Sequence, residues 1–186
     1  PLCDTLDVAT VSSDRNAAVL TPLPSMTMSA TEIARLGNAG LHEVLNLFAG
    51  VSVKDYGGIG GLKTVSVRNM GASHTSVIYD GISISDAQNG QVDISRFSPD
   101  GMSSVSMSVA MEDDIFCSAR HMTSAGVLRL ESAFPSFDNG PAEVRARMSF
   151  GSFGTYMPFI SIGQRLAHGY ALKASMNGTF SNGNYP

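Results

Sequence analysis

The fold of this chain is decided by residues 42–95, HEVLNLFAGVSVKDYGGIGGLKTVSVRNMGASHTSVIYDGISISDAQNGQVDIS. Short apolar strands are predicted at residues 51–53 and 64–68, separated by a loop with four glycines. Two further strands at residues 76–84 flank Asp80-Gly81, a pair that favours a type I′ hairpin turn. Short strands divided by glycine turns indicate a small domain with a sheet rather than a helical bundle.

Helices are predicted on the N-terminal side of these strands. Ser29-Ala-Thr-Glu32 has the form of a capping box, in which serine and glutamate bind the free amides of a first helical turn. This helix stops at Gly37. Asn38 is expected to cap a second helix, which Gly50 ends in the left-handed conformation. The second helix has apolar residues at i, i+3, i+4 and i+7, which predicts one buried face: Leu41, Val44, Leu45 and Phe48.

Residues 26–133 are predicted to form one mixed α+β domain with a short central sheet and short helices. Ser98-Pro99 begins one helical turn, since proline suits the first helical position. Alternation at residues 105–109, and less regularly at 127–130, indicates further strands. Residues 1–25 have no periodicity and contain two prolines, so they are expected to form a mobile arm.

The tail, residues 142–186, differs in kind from this domain. Its apolar residues alternate with polar ones at 143–150 and 170–180, and residues 156–165 form a third strand with less regular alternation. Period-two strands of about ten residues are typical of a membrane β-barrel. The edge of a soluble antiparallel sheet alternates in the same way, and on this segment alone that alternative remains open. Three strands do not close a barrel, so we expect the chain to be the front end of a longer protein.

The composition excludes several classes of function. Charged residues make up 15% of the 186 residues and the formal net charge is −4, so there is no basic surface for nucleic acid. No apolar run is long enough for a membrane helix. Cys3 and Cys117 form no disulfide framework, although a bridge between them stays possible in an oxidising compartment.

No catalytic, metal or cofactor site is predicted. The glycine loop at residues 57–61 lacks the Lys-Ser/Thr of a P-loop and opens no helix. The four histidines have no metal-ligand spacing and are interpreted as structural: His42, His74, His121 and His168. Neither cysteine has a neighbouring activating base, and no Gly-x-Ser-x-Gly elbow occurs. We therefore do not expect an enzyme.

The order and spacing of four segments resemble the plug domain of TonB-dependent outer-membrane transporters over residues 26–132. The segments are LNLFAGVSV (45–53), TVSVR (64–68), IYDGISI (78–84) and DAQNGQVDI (86–94). FGSFGTY (150–156) and SNGNYP (181–186) resemble the first barrel strands of cobalamin and siderophore receptors. The chain departs from the family at Asn69, where an Arg-Gly pair is usual, and at residues 109–117, where an acidic triplet replaces the usual Arg-Gly-Pro element.

The resemblance implies a plug inside a β-barrel of the outer membrane of a Gram-negative bacterium, with the arm in the periplasm and the barrel supplied by the rest of the protein. It implies a small-molecule ligand such as cobalamin or an iron chelate, and residues 71–84 are closer to cobalamin receptors. The ligand would be bound by two apical loops through Tyr56, Gly57, Gly58, Asp86, Gln88 and Asn89. The alternative for each of these residues is that it only shapes a turn. Arg68 would pair with the barrel wall, or else be a solvated strand end.

The resemblance also implies an energy-coupling partner, TonB, that binds an extended segment by adding a strand. The candidate TonB box is Leu6, Asp7, Val8, Ala9, Thr10 and Val11, which has free backbone amides and no proline. An ordinary terminus is the alternative for this segment. Two other classes of protein remain open for the whole chain: a plug-like module that binds or signals without transport, and a soluble secreted β-rich structural protein.

Overall fold

The structure is a computed structural model that describes residues 25–37, 40–58, 60–86, 88–109, 118–137, 140–166 and 170–183. It has a mixed α+β architecture, as predicted, with a central five-stranded sheet, a separate two-stranded sheet and a three-stranded sheet. We call residues 25–132 the N-terminal unit and the three-stranded sheet the wall.

The described helices and strands have these bounds. The helices are α1 (Ala30–Arg35), α2 (Leu41–Asn46) and α3 (Ala119–Met122), with single 3-10 turns at Ala72–His74, Ile94–Arg96 and Pro99–Gly101. The strands are β1 (Ser25–Ser29), β2 (Val51–Asp55), β3 (Lys63–Val67), β4 (Thr75–Tyr79), β5 (Ile82–Ile84), β6 (Met102–Val109), β7 (Gly126–Ser132), β8 (Ala142–Gly151), β9 (Thr155–Arg165) and β10 (Ala171–Asn177). None of the helices in these ranges is long and apolar enough to cross a membrane.

The central sheet has the order β1-β6-β7-β4-β5, and β4 pairs with β7 in parallel. The predicted hairpin is confirmed: β4 and β5 are antiparallel, and both turn residues have positive φ, 48° at Asp80 and 82° at Gly81. These angles define the type I′ turn, which glycine adopts without steric cost. Strands β2 and β3 pair only with each other among the described strands.

The core lies between the central sheet and α2. The predicted helix face is buried, since Leu41, Val44, Leu45 and Phe48 are between 0 and 5% exposed. These side chains pack with residues of the central sheet, of β3 and of the segment before β6, among them Val67, Ile94, Val105, Met107, Leu128 and Leu130. The apolar face of helix α2 and the apolar face of strand β6 therefore pack into one cluster.

Several predicted boundaries are confirmed and others are corrected. The Glu32 carboxylate accepts hydrogen bonds of 2.7 Å from both the amide and the hydroxyl of Ser29, so α1 starts where predicted. The N-cap of the second helix is Gly40, since the amides of Glu43 and Val44 donate to the Gly40 carbonyl, and the predicted cap Asn38 lies outside the described residues. Gly50 is left-handed, with φ 75°, but α2 has already ended at Asn46.

Three residues belong to other elements than predicted. Arg68 follows β3 in a turn with φ 49° instead of ending the strand. Ser25, assigned to the arm, is the first residue of β1, and Thr155, just before the strand predicted at residues 156–165, starts β9. Strand pairing decides these positions: Ser25 pairs with Ser108 and Thr155 with Gly151.

Candidate functional site

The first predicted ligand loop, residues 56–62 between β2 and β3, is held closed by Asp55. Its Oδ1 accepts hydrogen bonds from the amides of Gly57 (3.0 Å) and Gly58 (2.9 Å), and Lys63 Nζ donates to Oδ2. The Lys63 hydrogen bond, with those from the glycine amides, lowers the pKa of Asp55 from 3.8 to about 2. Tyr56 is left on the surface with 59% of its area exposed, where its ring is free to stack on a ligand.

The second predicted ligand loop is residues 85–91. Asp86 Oδ1 accepts from the Gln88 amide at 2.7 Å, and Asn89 Oδ1 accepts from the Gln91 amide at 3.0 Å. One side-chain oxygen of each residue therefore shapes the turn, which is the role the alternative assigned to it. Asp86, Gln88 and Asn89 are all exposed. The ligand role of these residues stays a prediction.

Asp93 is a site residue that sequence reasoning missed. Its Oδ1 accepts from the Lys63 amide (3.2 Å) and from the amide and hydroxyl of Ser95 (3.0 and 2.7 Å), while Oδ2 lies 3.6 Å from Arg96 Nε. Burial raises the pKa of Asp93, but these hydrogen bonds and Arg96 outweigh it and the net pKa is lowered. Asp93 thus ties the first loop to the segment before β6. The Asp-x-Ser spacing is the local signal that could have identified this turn.

A cleft of about 720 Å³ separates the N-terminal unit from the wall. On one side it is lined by the start of α2, the first loop and residues 93–100, and on the other by inward-facing residues of the wall. Of the six predicted ligand residues, Gly58 lines this cleft. The volume is in the range of small-molecule sites.

The lysine and arginine side chains of the cleft have carboxylate partners. His42 Nε2 lies 4.0 Å from Glu43, and burial together with the charge of Lys63 lowers the pKa of His42. Arg147 Nη1 donates to Asp100 Oδ1, and Arg147 Nη2 donates to the Gly37 carbonyl at 2.7 Å. These ion pairs leave the cleft without a strong net field of one sign.

Arg147 and Phe159 join the wall to the N-terminal unit. Phe159, 7% exposed, packs against Gly101, where an added Cβ would lie 3.2 Å from the ring. The sequence pointed to Arg68 for such a contact. In the described part of the chain Arg68 is an exposed turn residue whose amide donates to Gly50, so its pairing with a barrel stays a prediction. The sequence did contain a pattern that could have identified Arg147, since this residue lies among the polar positions of an alternating strand.

The segment between β7 and β8 is fixed to the wall separately. Lys173 Nζ donates to the Ala133 carbonyl at 2.6 Å, and the Arg165 guanidinium lies 5.2 Å from the centre of the Phe137 ring. The Arg165 amide also donates to the Pro141 carbonyl at 2.7 Å. This connection therefore follows the inner face of the wall.

The wall has its polar face toward the N-terminal unit and its apolar face outward. The inward residues include Glu143, Arg147, Ser149, Thr155, Ser161 and Lys173, all of them buried or half-buried. The outward residues are exposed: Val144 (64%), Met148 (56%), Phe150 (72%), Tyr156 (44%), Ile160 (42%), Ile162 (47%), Leu172 (60%), Met176 (74%) and Phe180 (50%). Tyr156 and Phe180 stack at 4.9 Å at one end of this outer face.

The remaining predicted site residues fall as follows. His121 is buried, its Nε2 lies 2.9 Å from Ser83 Oγ, and burial lowers its pKa, whereas His74 is exposed in a 3-10 turn. The described ranges contain no group of three or more metal-ligating side chains. Cys3, Cys117, His168 and the candidate TonB box at 6–11 lie outside those ranges, as do residues 110–117.

Comparison with solved structures supports the same architecture. The chain is similar to the FrpB iron transporter from Neisseria meningitidis (TM-score 0.67, 13% identity), covering 85% of this chain and 24% of that one. It is similar to the ferric citrate transporter FecA (0.61, 18%), covering 84% and 25%, and to the copper transporter OprC (0.59, 18%), covering 75% and 21%. The chain thus spans a quarter or less of the length of these proteins, and at such identities the likeness shows the fold.

The family itself is shown by sequence. Residues 18–110, half of the chain, match the model of the TonB-dependent Receptor Plug Domain. The match covers both predicted ligand loops, α2 and the central strands β4 and β6. This chain belongs to the TonB-dependent receptor plug domain family.

Proposed function

We propose that the chain is the plug, with the first wall strands, of an outer-membrane active transporter that takes up a scarce small molecule and is driven by TonB. Receptors of this family are outer-membrane proteins. The observation that carries the proposal is the polarity of the wall, which is the reverse of that in a soluble domain.

A soluble antiparallel sheet that covers a domain places its apolar face on that domain and its polar face in water. Here the buried face has Glu143, Arg147 and Ser149, and the exposed face has Val144, Met148 and Phe150. An outer face of this kind fits hydrocarbon as its solvent. Strands β8 and β9 have 10 and 11 residues, the length that spans a bilayer when tilted.

The ligand in this proposal is a cobalamin or a ferric siderophore, bound at the two loops by Tyr56, Gly57, Gly58, Asp86, Gln88 and Asn89. The three similar transporters are named for iron, ferric citrate and copper, so their names favour a metal-containing cargo without choosing one. Beyond the oxygens that shape their turns, Asp86 has a second carboxylate oxygen and Asn89 has its amide nitrogen, and Tyr56 has its ring face exposed.

Transport in this scheme is a coupling of two sites. Ligand binding at the loops changes the exposure of the N-terminal arm, and TonB captures Leu6–Val11 by strand addition. Force on the arm then displaces part of the N-terminal unit and opens a route. No bond of the ligand is broken, so the protein acts as a transporter and not as an enzyme.

Uptake in cells tests this proposal. The full-length receptor is expressed in cells with and without TonB, and uptake and binding of radiolabelled cyanocobalamin and ferric citrate are measured. We expect one probe to be bound in both strains and accumulated only with TonB. Val8→Pro, which removes a backbone donor inside the segment, should abolish accumulation and keep binding. Thr21→Pro, beside the natural Pro22, is the matched control. Binding of neither probe, or equal accumulation in cells with and without TonB, would contradict the proposal.

A further inference from the structure

The geometry points to the cleft as the route of the solute, and to the contact of Asp100 and Gly101 with Arg147 and Phe159 as the floor that closes it. This inference depends on the proposed transport function and adds to it the place where the route runs and the residues that close it. We call this four-residue contact the floor.

The strand register of the wall shows at which level along β8 and β9 the floor lies. Thr155 pairs with Gly151 at the end of the β8–β9 hairpin, and Phe159 pairs with Arg147 near the middle of the strands. The cleft is lined by both Thr155 and Arg147, so it descends from the hairpin to mid-strand and stops there. Below this level the wall is covered by the connection at residues 133–137.

The floor consists of a charged contact and an apolar one. Arg147 binds both Asp100 and the Gly37 carbonyl, and therefore joins the wall to two separate parts of the N-terminal unit. Its side chain is 36% exposed and that of Asp100 is 21% exposed. Solvent therefore weakens this ion pair, which makes it a contact that can be broken and re-formed. The ring of Phe159 closes the space beside it over Gly101.

The Asp100 side chain can move away from Arg147 without loss of the central sheet. Asp100 lies in the 3-10 turn Pro99–Gly101, outside every strand, and follows residues 91–98, which contain one 3-10 turn and no strand. Moving its carboxylate away from Arg147 breaks no ladder hydrogen bond. The Ala133 amide donates to the Gly101 carbonyl at 2.8 Å, so Gly101 stays with the connection at Ala133 and Phe137, which has its own attachments to the wall, while the Asp100 side chain moves.

The wall side of the cleft offers polar groups to a solute, within a lining that also has apolar residues such as Met157 and Phe159. Ser149, Thr155 and Asn177 offer hydroxyl and amide groups from the wall, and the ion pairs of the opposite side leave no strong field of one sign. A polar molecule would exchange hydrogen bonds along this surface without being trapped at a single charge.

Leakage of a large antibiotic tests the floor without knowledge of the natural cargo. Asp100→Asn and Arg147→Gln are made in the full-length receptor, and vancomycin sensitivity is measured at equal receptor abundance in the outer membrane. Because a partly exposed, charge-assisted contact is removed, we expect sensitivity to rise about threefold to tenfold. The exchanged pair, Asp100→Arg with Arg147→Asp, should restore most of the resistance. Arg145→Gln, which breaks the neighbouring contact with Glu143 outside the cleft, is the matched control.

A reversible cross-link provides the opposite perturbation in a folded receptor. In a background with Cys3→Ser and Cys117→Ser, the Asp100→Cys and Arg147→Cys double variant is joined by a short bis-methanethiosulfonate. Bound cyanocobalamin or ferric citrate should remain bound and not be accumulated until a reductant is added. Unchanged uptake after cross-linking would overturn the inference, as would equal leakage from Arg145→Gln. Failure of the wild-type receptor to accumulate either probe would instead contradict the transport function, while the vancomycin measurement would still report on the floor.

Discussion

Replacing Gly101 by alanine should loosen the contact between the N-terminal unit and the wall. The added Cβ would lie 3.2 and 3.3 Å from two ring carbons of Phe159, inside ordinary van der Waals separation. Gly101 has no positive φ, so the substitution adds crowding and not backbone strain. Overpacking costs about 1 to 3 kcal/mol in buried sites. Because the crowded atoms are at the far end of a side chain that can shift by a few tenths of an ångström, we expect about 1 kcal/mol.

The assay is urea unfolding of the full-length receptor in detergent, followed by the loss of trypsin protection of the N-terminal unit. Gly151→Ala is the control, since its Cβ would lie 3.5 Å from Thr155, an ordinary contact in the same sheet. Phe159→Leu makes room for the new methyl group. The double variant should therefore be more stable than the sum of the two single effects by about 0.5 to 1 kcal/mol. Additive effects, or equal losses for Gly101→Ala and Gly151→Ala, would refute this packing argument.

Three further predictions concern the N-terminal unit. Leu128→Ala, at a fully buried position, should cost about 2 to 5 kcal/mol of unfolding free energy, whereas Leu47→Ala, at a position 58% exposed, should change it by less than about 0.5 kcal/mol in the same urea assay. The pKa of Asp55 is lowered from 3.8 to about 2 in the folded protein. Its stabilisation of the first loop is therefore complete above pH 3.8 and is lost as the pH falls through about 2. An NMR titration of this carboxyl with a midpoint near 3.8 would contradict the Lys63 contact. Burial lowers the pKa of His121, so the unfolded chain binds the proton more tightly than the folded chain, and the stability of α3 should decrease below about pH 6.5. Limited proteolysis at residues 118–125 should show this pH dependence. The His121→Gln variant should not show it.

Local patterns in the sequence were sufficient wherever the deciding contact is itself local. The face Leu41–Phe48 follows from the helix period, and the β4–β5 hairpin follows from Asp80-Gly81, whose backbone angles few other pairs adopt. The alternation in the tail predicted the strands of the wall. Alternation alone did not decide which face packs against the N-terminal unit, and that answer came from the burial of Ser149 and the exposure of Phe150.

Contacts between distant segments could not be read from local patterns. Asp100 and Arg147 are 47 residues apart, and either one alone resembles an ordinary surface charge. The parallel pairing of β4 with β7 is likewise decided by packing on the shared core, not by the residues of either strand. The turn after β3 is a further feature that the preceding apolar run does not reveal, and it places Arg68 on the surface of the described part of the chain.

The most direct test of this account is a nitroxide scan along β9 of the full-length receptor in lipid bilayers. Each position from 156 to 164 is replaced in turn by a spin-labelled cysteine, and its collision rates with oxygen and with a water-soluble nickel chelate are compared. The account predicts a period of two, with high oxygen and low nickel accessibility at Ile160 and Ile162 and low accessibility to both at Phe159 and Ser161. High nickel accessibility at Ile160 and Ile162 would place the outer face in water and contradict the membrane assignment of the wall.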